Sequence, residues 1–137
     1  MFLLGGMYLV PLDTVISEFK QKAYDLSKTM ETDWDGHKVF VIGADRTDSS
    51  GNSLWVDARE LYVVRQIEMD NDLRLDARMS KHQNLGNGWS ETYVDIYGNG
   101  KLIQTESYAN LKTTPPVEDA VFDVKDLKKG RWFEKTN

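Results

Sequence analysis

The apolar positions follow one period near the start of the chain and another over most of the rest. Leu12, Val15, Ile16 and Phe19 fall at i, i+3, i+4 and i+7, and Ala23 continues the stripe. That spacing belongs to a helix with one face to bury. Pro11 sits where an entering helix tolerates a missing amide proton, and Asp13 and Glu18 flank the polar side. The pattern predicts one long helix over about residues 12–22, whose single apolar stripe needs a sheet to cover.

From Ser27 onward the period is two. Residues 38–42 read as a short, mostly apolar strand, 45–52 as a polar loop, 54–57 as a strand and 58–60 as a tight turn. Residues 61–69 form the next strand, rich in β-branched and aromatic side chains. Leu73, Leu75, Ala77 and Met79 then alternate with Arg74, Asp76 and Arg78. This predicts a half-buried strand with one wet, charged face, which cannot lie between two layers. Asn99-Gly100 supplies two positive-φ positions, so a type I′ hairpin is expected to join residues 89–97 to 101–110. A two-residue loop sets Ile96 against Ile103, Val94 against Thr105 and Tyr97 against Leu102, with Tyr93 facing Glu106 and Glu91 facing Tyr108. Residues 113–116 end the sheet, and 119–122 make one short turn. Short loops between successive strands predict an antiparallel meander. With one main helix against a curved, incompletely closed sheet, the fold class is α+β, mostly β.

Residues 1–10, MFLLGGMYLV, lack the positive start and small-residue cleavage site of a secretion signal, and the first lysine is Lys20. Gly5, Gly6 and Pro11 interrupt the run. It reads as a buried strand entered in mid-domain, or else as an apolar arm packed on the core. No segment reaches the roughly 20 apolar residues of a membrane-spanning helix.

At 137 residues the chain is the size of one domain, and 40% hydrophobic with 28% charged residues excludes a disordered composition. A formal charge of -5 argues against a nucleic-acid partner, which calls for a basic face. Without cysteine there is no disulfide framework, thiolate metal site or cysteine nucleophile.

Candidate chemistry is sparse. His37 and His82 stand in no metal-ligand spacing, and Asp33-Trp34-Asp35-Gly36-His37 reads as a hairpin turn more readily than as a calcium loop. Asp70-Asn71-Asp72 is followed by Arg74 where a third ligand belongs. No GxSxG elbow occurs, and Gly5-Gly6 lacks the lysine of a phosphate loop. Glu91 and Glu106 are the best-placed carboxylate pair, and they point outward beside Tyr93 and Tyr108 with no sign of a sugar cleft. No catalytic residue, metal site or cofactor is assigned. What remains is a supply of aromatics: Trp34, Trp55, Trp89, Tyr62, Tyr93, Tyr97 and Tyr108. They either fill the core under the helix or leave part of one sheet face apolar and open to a ligand.

Several runs resemble a family of bacterial envelope proteins. LWVDARELYVVRQIEM (residues 54–69) is similar to a strand–turn–strand signature in which an aromatic-Val/Ile-Asp triplet and a short turn lead to a strand carrying an Arg. ETYVDIYGNGKLIQTESYANLK (91–112) resembles the later strands, VFDVKDL (121–127) the closing segment, and YDLSKTMETDWDGHKVFVIGA (24–44) the earlier strand pair. The family is the one that includes the outer-membrane lipoprotein carrier LolA and the sensor RseB. The resemblance implies an incompletely closed antiparallel barrel wrapped around a helix, with an apolar cavity for lipid or acylated partners, in an exported protein. A complete member has a signal sequence, a helix and further strands before anything like Met1, so a C-terminal part of a longer precursor is expected.

The leading expectation is a noncatalytic periplasmic or outer-membrane-associated protein that binds a lipid or the acyl chains of a lipoprotein. Trp55, Tyr62, Val64, Trp89, Tyr93 and Tyr97 form the pool from which lining residues are drawn. Strand alternation forbids all six from facing one way. The alternative is a protein–protein interaction or sensor module of the envelope, pairing with a partner or a second copy through an exposed sheet edge. An esterase or hydrolase is the third and weakest reading.

Overall fold

The computed structural model describes residues 11–47, 50–86 and 88–112. The expected strand within residues 1–10, the turn at 119–122 and the family-like closing run lie outside the described residues. The helix forms where its stripe predicts, as α1 (Leu12–Gln21), with Pro11 at its N-cap position and Val15 and Phe19 buried. It ends in a left-handed turn at Ala23, φ +58°, and the Tyr24 amide donates back to the Phe19 carbonyl at 2.9 Å. That closure satisfies carbonyls the helix leaves open.

The strands follow as β1 (Thr29–Trp34), β2 (His37–Ile42), β3 (Ser53–Asp57), β4 (Val63–Asp70), β5 (Leu73–Ser80), β6 (Gln83–Asn84), β7 (Trp89–Ser90), β8 (Tyr93–Gly98) and β9 (Lys101–Ser107). Seven form one antiparallel sheet in the order β1-β2-β3-β4-β5-β8-β9, while β6 and β7 pair in a separate two-stranded ladder. The sheet does not close, and among the described strands β1 and β9 are its edges. Asp35 and Gly36, at φ +50° and +81°, make the β1–β2 turn, and Asn99 and Gly100, at +47° and +79°, make the β8–β9 turn. Positive φ at both central residues matches the strand twist.

The helix covers one face of the sheet. Val15, Phe19 and Tyr24 pack with Leu54, and with Ile42, Val56 and Val63 around it. The same face continues in Ala77, Met79, Val94 and Ile96. On the far face Val39, Val41, Ala44, Trp55 and Val64 form another buried cluster, with Met30, Trp34 and Tyr62 packed against it.

Three expectations are corrected. The strand expected over residues 89–97 is two strands in different sheets. Thr92 breaks it, its hydroxyl donating to the Lys81 carbonyl at 2.7 Å. The β8–β9 register keeps Tyr97 opposite Leu102 but then shifts, so Ile96 faces Gln104, Asp95 faces Thr105, Val94 faces Glu106 and Tyr93 faces Ser107. A bulge adds Ile103 as one extra residue on β9 and displaces every later pair. Finally, the charged face of β5 is wet only in part: Arg74 and Arg78 stay partly exposed, but Asp76 between them is buried. Asp76 is 3% exposed. Its charge is neutralised by Arg65 and Arg78, and the Arg65 guanidinium lies against the Trp34 and Trp55 rings, so the strand carries burial on both sides.

Candidate functional site

The arginine and aromatic residues of the far face form a layered stack. The Arg65 guanidinium makes a two-pronged pair with Asp76, Nε to Oδ1 and Nη2 to Oδ2, each 2.7 Å. It lies 4.4 Å from the Trp34 ring centroid and 4.8 Å from that of Trp55. Arg78 donates to Asp76 at 3.0 Å and lies 4.3 Å from the Tyr97 centroid. Burial by itself raises the Asp76 carboxyl, but the hydrogen bonds and charges of Arg65 and Arg78 outweigh it and hold it below the ordinary carboxylate value. Arg78 Nε is buried with no hydrogen-bond partner.

Beside this stack runs a groove made of two adjoining hollows. One, about 240 Å³, is bounded by Trp34, Asp35, His37, Tyr62, Val64, Met79, Ser80, Lys81 and His82. The other, about 430 Å³, shares Trp34, Asp35, Met79 and Ser80 and adds Arg78, Asp95 and Tyr97. At the first end Tyr62 stacks on His82 with centroids 3.8 Å apart, and Trp89 leans on Tyr62 at 5.3 Å. His82 Nε2 lies 2.9 Å from the Val63 carbonyl, and only a protonated Nε2 can donate there. Burial pushes the His82 pKa down more than that bond pushes it up, so the ring is held neutral with Nδ1 as an acceptor. His37 Nδ1 lies 3.4 Å from Asp57 Oδ2. Asp57 is buried, which raises its pKa. The amides of Glu60 and Arg59, donating at 2.7 and 2.9 Å, and nearby His37 bring it below its ordinary value.

The six residues singled out in the sequence are distributed around this groove. Tyr62, Val64 and Tyr97 line it. Trp55 is buried behind it, donating through Nε1 to the Ser53 hydroxyl at 3.1 Å. Tyr93 carries the Lys81 ammonium 4.2 Å from its centroid, and Trp89 reaches the groove only through Tyr62. His37, His82, Arg78 and Lys81 were not singled out as binding residues. The histidines are 45 positions apart and only sheet pairing brings them to one hollow. Arg78 belonged to a strand face that alternation marks as solvated.

The groove carries cations, aromatic rings and hydrogen-bonding groups together. Among the described residues no serine hydroxyl is hydrogen-bonded to either imidazole, no three metal-ligating side chains converge, and no helix is long and apolar enough to cross a membrane. No family model matches the chain, and neither does any curated protein or solved structure.

Proposed function

We propose that the protein is a noncatalytic binding domain of the cell envelope that holds a lipid or lipidated chain along this groove. The observation that carries the reading is the mixture of side chains lining it: Trp34, Tyr62, Val64 and Tyr97 beside Arg78 and Lys81. Rings and aliphatic surface favour an acyl chain, at roughly 0.8 kcal/mol for each methylene taken out of water. The two cations favour an anionic headgroup. Hollows of about 240 and 430 Å³ suit a ligand held partly at the surface, at the small end of ligand-pocket sizes. The resemblance to the lipoprotein-carrier family supports the same ligand class and a periplasmic or outer-membrane setting.

Native mass spectrometry of freshly purified protein, followed by organic extraction, tests this reading. The expected result is a bound species of lipid mass that is lost on denaturation. Arg78→Gln should weaken binding of an anionic single-chain lipid by about tenfold, corresponding to one charge-assisted hydrogen bond. A clean apo mass together with no affinity for fatty-acyl probes would rule it out.

A further inference from the structure

Among the described strands β9 (Lys101–Ser107) is hydrogen-bonded to β8 alone, and none lies on its outer side. Leu102 and Ile103 are 55% and 59% exposed on it. A row of unpaired amides and carbonyls with apolar side chains is a template for another strand.

The bulge in β9 decides which strand fits. Leu102 faces Tyr97 and Thr105 faces Asp95, placing Leu102 and Thr105 on the far face of the sheet. Lys101, Gln104 and Glu106 face Gly98, Ile96 and Val94, on the side covered by α1. Ile103, the extra residue, falls on that side too, since a side chain added at Gly98 would meet its Cδ1. Two β9 strands can therefore pair antiparallel about a two-fold axis with Lys101 facing Glu106, Leu102 facing Thr105 and Ile103 facing Gln104. Every facing pair then shares one side of the sheet. An unbulged strand in this register would set opposite faces against each other.

The charges agree with that register. Among the described residues Lys101 makes no ion pair, and Glu106 meets no cation. Among the described residues Glu106 accepts hydrogen bonds from Gln104, at 2.6 Å, and from the Tyr108 hydroxyl. The other edge lacks this complementarity, because β1 carries Glu31 and Asp33 on one side and would repel itself. A β1 edge laid on β9 would leave free edges at both ends and grow without closing, whereas β9 on β9 closes as a dimer.

We propose that the chain forms a two-fold dimer through antiparallel pairing of its β9 edges in this register, with Lys101 of each copy facing Glu106 of the other. Neither residue lines the groove, so dimerisation and ligand uptake can be read separately.

Sedimentation equilibrium of the 137-residue chain tests the proposal. The wild type should show a concentration-dependent dimer. Lys101→Glu and Glu106→Lys should each weaken it by about tenfold or more, since each turns both attractive pairs into like-charge pairs. The double exchange should return the dissociation constant to within about threefold of wild type. Circular dichroism and melting curves confirm that each variant is folded. A strictly monomeric wild type overturns the proposal, as does a dimer indifferent to both single reversals or a double exchange no tighter than either.

Discussion

Asp76 accepts from Arg65 and Arg78, and Arg74 Nη1 stands 3.7 Å away. One buried carboxylate thus serves several guanidinium groups, and the Trp34 and Trp55 rings shield the Arg65 charge from water. Removing one member of such a cluster costs more than the pair contributes, because the remaining charge stays buried and unpaired. Asp76→Asn is expected to lose about 3 to 5 kcal/mol in urea unfolding. Arg65→Met with Asp76→Leu should be less damaging than Asp76→Asn alone, since Arg65, the most deeply buried of the three cations, leaves with its partner while Arg74 and Arg78 can reach water. A double variant as unstable as Asp76→Asn would refute the orphan-charge account. None of this cluster is legible in the Arg74-Asp76-Arg78 alternation, which describes a charged face but is silent on what covers it. Trp34 does so from β1, some 40 residues earlier.

At the level of elements, the strands are held in place by a few backbone positions that other residues cannot adopt. Gly43 ends β2 at φ +96°, and its amide donates to the Lys28 carbonyl at 2.9 Å. A Cβ there would run into the Asn52 backbone carbonyl. Gly36, in the β1–β2 turn at φ +81°, has open space around it. Both positions disfavour a side chain by conformation, but only Gly43 adds a clash with backbone. Gly43→Ala should cost about 2 kcal/mol or more beyond Gly36→Ala, read as the difference between their thermal or urea unfolding. Equal losses would show that the Asn52 contact relaxes freely. The two type I′ turns were legible because Asp-Gly and Asn-Gly announce them locally. The bulge at Ile103 had no such signal: nothing in KLIQTES marks which residue is extra.

For the whole molecule, the titratable groups set a pH profile with a definite sign. His82 is neutral-favoured in the fold, with a pKa below its ordinary 6.5. The unfolded chain therefore binds more protons, and its contribution is complete above pH 6.5 and lost as the pH falls through the folded value. Asp76 and Asp57 are also depressed, from an ordinary 3.8, so a second loss follows further into acid. Tyr24 behaves oppositely: burial raises its phenol, and stability is lost as the pH rises above 10. Urea unfolding at a series of pH values should show the first acid loss in wild type and a flat profile through that window in His82→Gln, with the second loss unchanged. A profile identical in both proteins would remove His82 from the account.

The period of the apolar residues and the identity of the turn residues determined the helix, the β1–β2 and β8–β9 turns and the antiparallel order of the sheet. These depend on neighbours a few positions apart, and a linear sequence displays such neighbours directly. The register of β9, the burial of Asp76 and the meeting of His37 with His82 in one hollow were decided only by the tertiary structure. Each depends on which strands lie side by side, and that choice is made by packing and charge pairing summed over the whole sheet.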